Sequence, residues 1–114
     1  MTFDELEEFK KDRKQLLKKY RSLAEDLETV KKVLAVAPAA RPPFSFEISD
    51  LSLTTCVIKV KKIACKSLKG KGVQSGLRLI YALFKEESRI TFIEIYHKSE
   101  QASENRDRIY QYFS

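Results

Sequence analysis

The chain has 114 residues, of which 22 are Lys or Arg and 16 are Asp or Glu, so its formal net charge is +6. This length fits one domain over residues 1–114, and an apolar content of 43% exceeds that of disordered chains. No apolar run approaches the roughly 20 residues of a membrane span, and the acidic N-terminus does not resemble a secretory signal. We therefore expect a soluble cytoplasmic protein with no membrane partner.

Two further classes of site are excluded by residue counts. Cys56, Cys65 and His97 are the only cysteines and histidine, whereas a structural zinc site usually takes four such ligands. No glycine motif for nucleotide phosphates occurs. We therefore predict neither a metal nor a cofactor. Two reduced thiols are favoured over a disulfide, as in other proteins of reducing compartments.

The first 36 residues have the pattern of two helices. Thr2 and Glu5 match a capping box, and apolar residues follow at helical spacing as far as Tyr20. A second match at Ser22 and Glu25 begins another apolar stripe. A break near residue 21 then predicts a helical hairpin, and the chain is expected to begin directly in the first helix.

The remaining chain is predicted to form mostly strands. Residues 37–43 hold all three prolines and predict a connector. Apolar alternation predicts a short strand from residue 44 and a second at 56–62 with one buried and one cationic face. Two more strands are predicted at 77–84 and 90–96, and a short helix at 103–113. The prediction is an α+β domain: an N-terminal two-helix hairpin packed on a three- to four-stranded antiparallel sheet, with a short C-terminal helix.

Positive charge is concentrated in the middle of the chain. Residues 37–75 carry seven basic and two acidic residues, and no acidic residue occurs between Leu51 and Leu77. Such a segment favours a polyanionic partner, because neutralised phosphates release condensed counterions. A solvated surface that aids solubility is the alternative on charge alone. The candidate nucleic-acid-binding residues are Lys59, Lys61, Lys62, Lys66, Lys69 and Lys71.

Two motifs give the chain a resemblance to the RelE/ParE toxin superfamily. They are Ser75-Gly-Leu-Arg-Leu-Ile-Tyr81 and, after a charged turn, Ile93-Glu-Ile-Tyr-His-Lys98. The helical region and the strand at 56–62 extend the likeness over roughly residues 5–100. The resemblance implies a toxin of a type II toxin–antitoxin system that cleaves mRNA, often on the ribosome. Its implied partners are mRNA, the ribosome and a cognate antitoxin.

The resemblance also implies roles for single residues. Arg78 matches the arginine of the family's R-[LV]-[IV]-Y strand, and Lys98 falls where RelE-type members commonly have a second arginine. Lys59 and Lys61 match a basic pair on the preceding strand, whereas Tyr96 and His97 are similar to residues at that strand end in some branches. Family members usually open with a β-strand, which the predicted N-terminal helix replaces, so this edge strand is expected to be missing.

These residue types suit RNA cleavage without a metal, in which a 2′-hydroxyl attacks the adjacent phosphate. The guanidinium of Arg78 is suited to stabilise the charge that builds on phosphorus. His97 is the first candidate for the acid or the base because its ordinary pKa is nearest neutrality, and Tyr96 or Lys98 is the candidate for the other role. Strand alternation places His97 on the opposite face from Tyr96 and Lys98.

Several alternatives stay open from the sequence. One alternative is that Arg78 has a structural role and forms an ion pair with Glu94 on the neighbouring strand. Another is that His97 only caps its strand or contacts the last helix. At the level of function, the alternatives are a ParE-like inhibitor of DNA gyrase and a non-catalytic relative that binds nucleic acid or a protein partner.

Overall fold

A computed structural model describes residues 1–114 as an α+β fold with one sheet and three helices. The sheet has five strands in the order β1-β5-β4-β3-β2. The strands are β1 (Thr2–Glu5), β2 (Ser45–Glu47), β3 (Cys56–Val60), β4 (Leu77–Phe84) and β5 (Arg89–His97). The helices are α1 (Glu7–Lys19), α2 (Leu23–Val36) and α3 (Arg106–Phe113). None of these helices is both long and apolar enough to cross a membrane.

The expectation that the chain begins in a helix was wrong. Residues Thr2–Glu5 form β1, which pairs in parallel with β5 so that Phe3 lies opposite Ile90. The sheet is therefore mixed and five-stranded, not antiparallel with three or four strands. The edge strand that was expected to be missing is present. A four-residue segment is too short for its own periodicity to separate strand from helix, and its pairing partner lies far away in sequence.

The predicted break between the first two helices is confirmed, because α1 ends at Lys19 and α2 begins at Leu23. The predicted capping bond at Ser22 was wrong. Its hydroxyl donates to Asp26 (2.7 Å) and accepts a hydrogen bond from the backbone N–H of Ser67 (2.8 Å), so it caps nothing. Ser22 instead ties the turn between the helices to the basic loop (residues 66–76) that precedes β4.

The sheet is covered on both faces, which explains the apolar content of its central strands. One face and the helices α1 and α2 form a core of 17 buried residues, to which β4 contributes Leu77, Leu79, Tyr81 and Leu83. The other face forms a smaller core of seven, which includes Ile80 and, from α3, Ile109. Side chains alternate between the faces along β4, as a strand requires.

The register between β4 and β5 positions the candidate residues. Leu77 lies opposite His97, and Arg78 lies opposite Tyr96. The ladder continues beyond β5, because the backbone N–H of Lys98 donates to the carbonyl of Gly76 (2.9 Å). A shift in register falls near Ile80 and Tyr81, which is too far from the strand end to change the alternation there.

Neither cysteine forms a disulfide in this structure. Cys65 is buried between the basic loop and α2, whereas Cys56 is only half-buried.

Candidate functional site

A basic pocket of about 320 Å³ lies at the edge of the sheet where β4 begins. Four of its nine lining residues are basic, and none is acidic. The basic residues are Lys61, Lys62, Arg78 and Lys98. The other lining residues are Pro43, Phe46, Val73, Gln74 and Gly76.

The strand pairing explains why residues from three chain segments meet here. Antiparallel β3 and β4 place Val60 opposite Leu79, so Lys61 leaves β3 beside the start of β4. Antiparallel β4 and β5 place the end of β5 beside Leu77, and Lys98 follows directly. The ends of β3 and β5 therefore flank Arg78, because in an antiparallel sheet the end of each strand adjoins the beginning of its neighbour.

Backbone carbonyls hold the guanidinium of Arg78 in place. Its Nη1 donates to the carbonyl of Lys61 (2.9 Å) and, less closely, to that of Leu77 (3.3 Å). The alternative ion pair with Glu94 is absent. The carboxylate of Glu94 is buried and accepts hydrogen bonds from the side chain of Gln101 (2.9 Å) and the backbone N–H of Asn105 (2.8 Å).

The four positive charges of the basic pocket have no neutralising partner within the chain. The ion pairs of the protein involve none of these four residues. Positive charges that converge without a carboxylate repel one another and produce a positive potential that attracts anions. A bound anion reduces this repulsion. The pocket is therefore electrostatically prepared for a phosphate group.

Lys59 does not join this cluster, which corrects the expectation of a cationic face along all of β3. Its ammonium forms an ion pair with Glu104 (2.9 Å), and the two side chains are only 16% and 6% exposed. Burial is the largest single effect on Lys59 and opposes its charge, but the hydrogen bond to Glu104, the adjacent hydroxyl of Tyr96 and the charge of Glu104 together outweigh burial and raise the pKa of Lys59. Burial likewise opposes the charge on Glu104, yet hydrogen bonds from Lys59 and Arg106 lower the pKa of its carboxyl.

Tyr96 also lies outside the basic pocket. It is 6% exposed and belongs to the core beneath α3. Its hydroxyl is buried and makes no well-formed hydrogen bond, although the ammonium of Lys59 lies beside it. Burial raises the pKa of that hydroxyl, and the neighbouring ammonium of Lys59 offsets this only in part. The structure thus places Tyr96 beside Lys59 and under α3, away from solvent.

His97 points to the opposite face of the sheet from Tyr96, which confirms the alternation predicted from the sequence. Its ring stacks on Tyr20, with centroids 5.9 Å apart. Nε2 lies 2.9 Å from the carbonyl of Ser75, and Nδ1 accepts from the backbone N–H of Ser99 (3.1 Å). Because a carbonyl only accepts hydrogen bonds, Nε2 must carry the proton. Both ring nitrogens are therefore engaged in the fold, and neither faces the basic pocket.

The packing of His97 explains the glycine at position 76. A Cβ atom there would lie 2.6 Å from Nε2 of His97, which is closer than such atoms approach. The backbone of Gly76 also has a positive φ of 88°. Both observations require glycine at this position. His97 and Gly76 together support the turn from which Arg78 extends.

The three lysines of the basic loop lie elsewhere. Lys66 forms an exposed ion pair with Glu25 (3.3 Å), and its backbone N–H donates to Asp26 (3.3 Å). Lys69 and Lys71 are exposed and have no ion pair. They do not line the basic pocket, so they are placed to extend a binding surface but not to act on a ligand inside it.

The uncharged half of the basic pocket was not predicted from the sequence. Phe46 was assigned only to strand alternation, and Pro43 only to the connector. Gln74 was assigned only to the loop. One feature of the sequence could have identified Phe46, because it is an aromatic residue on the predicted strand before the lysine-rich strand. The two strands pair in the structure and place Phe46 opposite Lys59.

No family model, curated protein or solved structure matches this chain. The structure also contains no group of three His, Cys, Asp or Glu side chains that would hold a metal ion.

Proposed function

We propose that the protein is an RNA-cleaving toxin of the RelE/ParE type and that the basic pocket is its active site. The observation that carries this proposal is the convergence of Arg78, Lys61, Lys62 and Lys98 without any carboxylate. RNA supplies the phosphates that such a pocket attracts. The proposed partners are those of the family: mRNA, the ribosome on which it is read, and an antitoxin that neutralises the toxin.

The topology supports the same proposal. The strand Thr2–Glu5 supplies the opening strand with which members of that family usually begin. The motif residues Arg78 and Lys98, from adjacent strands, line one pocket. The meeting of Arg78 and Lys98 was expected from the resemblance. The opening strand was expected to be missing, so its presence removes a departure from the family's pattern, and this feature is independent of the charge that first pointed to RNA.

The proposed reaction needs no metal. The 2′-hydroxyl gives its proton to water, its oxygen bonds to the adjacent phosphorus, and the bond from phosphorus to the 5′-oxygen breaks. The products carry a 2′,3′-cyclic phosphate and a 5′-hydroxyl. Arg78 stabilises the charge on the phosphoryl oxygens, because its guanidinium is fixed by the carbonyl of Lys61. Lys98 is the member of the predicted acid–base set that lines the pocket, and its ammonium donates a proton to the departing 5′-oxygen.

A second candidate function is RNA binding without cleavage. The observation that favours it is that neither His97 nor any carboxylate lines the basic pocket. An acid–base pair suited to neutral pH is therefore missing. Cleavage by this pocket would depend mainly on stabilising the negative charge that builds on the phosphoryl oxygens. Its rate would rise with pH, because the 2′-hydroxyl loses its proton more readily at higher pH.

The test is to compare wild type, Arg78→Ala and Arg21→Ala on a labelled single-stranded RNA in the presence of a metal chelator. Arg21 is an exposed arginine without an ion pair, so its removal is a matched control for the loss of one charge. We expect Arg78→Ala to lower the cleavage rate about 100-fold or more. Arg21→Ala should cleave as wild type does.

Expression in a bacterial host gives the corresponding cellular test. We expect growth arrest from wild type and Arg21→Ala but not from soluble Arg78→Ala. Arrest by Arg78→Ala at the wild-type level contradicts the nuclease. RNA binding that requires Arg78, with no cleavage by wild type at any pH, establishes the second candidate instead.

A further inference from the structure

Phe46 is an exposed aromatic residue in an otherwise strongly basic site. It lies on β2, is 38% exposed and lines the basic pocket together with Arg78 and Lys98. The ammonium of Lys61 lies 5.2 Å from the centroid of its ring. An aromatic ring is usually buried, but this one remains exposed to water beside the unpaired positive charges of the pocket.

An aromatic ring next to a phosphate site has a specific use in single-stranded RNA recognition. Unpaired bases stack on aromatic side chains while the adjoining phosphates bind basic groups. Such stacking changes affinity by about 5- to 150-fold per base. The contact between an exposed ammonium and an aromatic ring is weaker and changes an equilibrium constant by only about two- to five-fold. A base can therefore displace the ammonium of Lys61 from the ring, and that ammonium is then available to bind a phosphate.

The remaining uncharged residues of the pocket suit a base as well. Pro43 and Val73 add apolar surface, and Gln74 adds an amide whose side-chain atoms form no hydrogen bond within the protein. Only the backbone of Gln74 is used, as its N–H donates to the carbonyl of Lys71 (2.9 Å). The amide is therefore free to bond to the edge of a stacked base. The pocket volume of about 320 Å³ is at the small end for ligand sites, as befits a single nucleotide.

Phe44 provides a natural comparison within the same segment. It is also exposed (43%) and also lies near a cation, because the guanidinium carbon of Arg41 is 5.9 Å from its ring centroid. It lines a different and mainly apolar cavity beside α2, which shares Lys62 and Val73 with the basic pocket but includes neither Arg78 nor Lys98. Exposure and a neighbouring cation are thus common to both rings, and only Phe46 lines the pocket that contains Arg78 and Lys98.

We propose that Phe46 is the base-stacking residue of the basic pocket. One unpaired nucleobase of a single-stranded RNA stacks on its ring while the phosphate next to that base binds Arg78 and Lys98. The inference rests on the proposed function only in taking RNA as the ligand. A purine at this position should bind more tightly than a pyrimidine, because its larger ring system stacks over more area.

The chain has no tryptophan, so Phe46→Trp and Phe44→Trp each introduce a single fluorescent reporter. The probes are a 2′-O-methyl hexamer of adenosines and an abasic hexamer with the same backbone. Neither is cleavable by attack of a 2′-hydroxyl, so binding is measured apart from catalysis. We expect the adenosine hexamer to quench Phe46→Trp and to bind about ten-fold more tightly than the abasic hexamer. Phe44→Trp should show no base-dependent quenching.

Leucine variants provide a second measurement without a reporter. Phe46→Leu should weaken binding of the adenosine hexamer by about ten-fold and leave the abasic hexamer unaffected, whereas Phe44→Leu should change neither. Equal binding of the two hexamers, or equal effects at positions 44 and 46, overturns the inference. Base-dependent quenching in a protein that cleaves no RNA retains the inference and removes only the nuclease. Arg78-dependent cleavage without base-dependent quenching removes only the inference.

Discussion

Lys59 and Lys61 lie two residues apart along β3 and its extension, yet the fold uses them in opposite ways. Lys59 is nearly buried and pairs with Glu104 at 2.9 Å. Lys61 is exposed, has no carboxylate partner and lines the basic pocket. The difference comes from Glu104, which lies in the segment before α3 and reaches only the first of the two lysines. A lysine-rich strand is therefore a binding surface only where no distant acid neutralises it.

The same contrast holds between larger parts of the molecule. Arg106 and Arg108 of α3 both pair with carboxylates, Asp50 at 3.0 Å and Asp12 at 2.7 Å respectively. They fasten α3 over the smaller core. The four basic residues of the basic pocket pair with none. Charge on the α3 side thus stabilises the fold, and charge in the pocket is left for a ligand.

The largest effect that separates the two regions is expected from removing one lysine from each. Lys59→Ala removes the closer partner of the buried Glu104 and leaves only Arg106 at 3.2 Å, so it should lower the free energy of unfolding by about 2 kcal/mol and the melting temperature by about 8 °C. Lys61→Ala should change the free energy of unfolding by less than about 0.5 kcal/mol and weaken RNA binding. Urea unfolding and RNA titration of both variants measure this. Comparable stability losses would erase the distinction.

An apolar replacement of the buried pair sharpens that result. Lys59→Met combined with Glu104→Leu removes both charges and keeps similar volumes, and such exchanges are often neutral. The double variant should therefore unfold within about 1 kcal/mol of wild type. It should also bind RNA as wild type does, because the basic pocket is untouched. Loss of RNA binding in a stable double variant would mean that Lys59 contacts the ligand after all.

Salt dependence distinguishes the basic pocket from the basic loop. On single-stranded RNA, removing one lysine that neutralises a phosphate lowers the slope of log affinity against log salt by about 0.7. Lys61→Ala with Lys98→Ala should therefore lower the slope by about 1.4. Replacing Lys66, Lys69 and Lys71 together should lower it by less than three such lysines would, because Lys66 already pairs with Glu25. Unaltered slopes in both variants would assign the lysines to solubility instead.

Acid should weaken the α3 side selectively. Burial is the largest single effect on Glu104 and opposes its charge, but the hydrogen bond from Lys59, a backbone hydrogen bond, the charge of Lys59 and the hydrogen bond from Arg106 together hold its pKa below the ordinary value of 4.5. Its stabilising contribution is therefore complete above pH 4.5 and is lost as the pH falls through the lower folded value. The raised pKa of Lys59 puts the corresponding alkaline loss above its ordinary 10.5. Between these limits the pair contributes a constant amount.

The measurement is the free energy of unfolding of wild type and Glu104→Gln between pH 3 and pH 7. Glu104→Gln should be less stable at pH 7 and should lose less stability on acidification, so the two curves approach one another at low pH. Parallel curves over the whole range would contradict the role assigned to this carboxylate.

Sequence patterns were sufficient where local periodicity decides the structure. The strands from β2 to β5 and the break between α1 and α2 follow from apolar spacing and turn residues. The pattern failed at β1, since only its pairing with β5 makes Thr2–Glu5 a strand. It also failed to separate Lys59 from Lys61, because Glu104 is 45 residues from Lys59. What local sequence does not contain is the identity of partners from distant segments.

The same limit applied to the candidate site. Residues on the pocket-facing side of adjacent strand ends, such as Arg78 and Lys98, were predictable from strand pairing. The hydrogen bond between Nε2 of His97 and the carbonyl of Ser75, and the stacking of the His97 ring on Tyr20, were not, because Ser75 and Tyr20 come from separate turns. Residue type alone made His97 the first choice for proton transfer, whereas its surroundings give it a part in packing. Position relative to the pocket, which requires the fold, reverses the order of the candidates.

The smallest expected effect belongs to the hydroxyl of Tyr96, which lies at the boundary between the two regions. Because this buried hydroxyl makes no well-formed hydrogen bond and lies beside the ammonium of Lys59, Tyr96→Phe should leave the free energy of unfolding within about 1 kcal/mol of wild type. Tyr110→Phe is the matched control, since its hydroxyl donates to the carbonyl of Leu51 (3.0 Å) and its loss should cost about 1 kcal/mol. RNA cleavage should be unchanged in both. A stable Tyr96→Phe protein that no longer cleaves would show that the hydroxyl reaches the substrate, and the active site would then extend beneath α3.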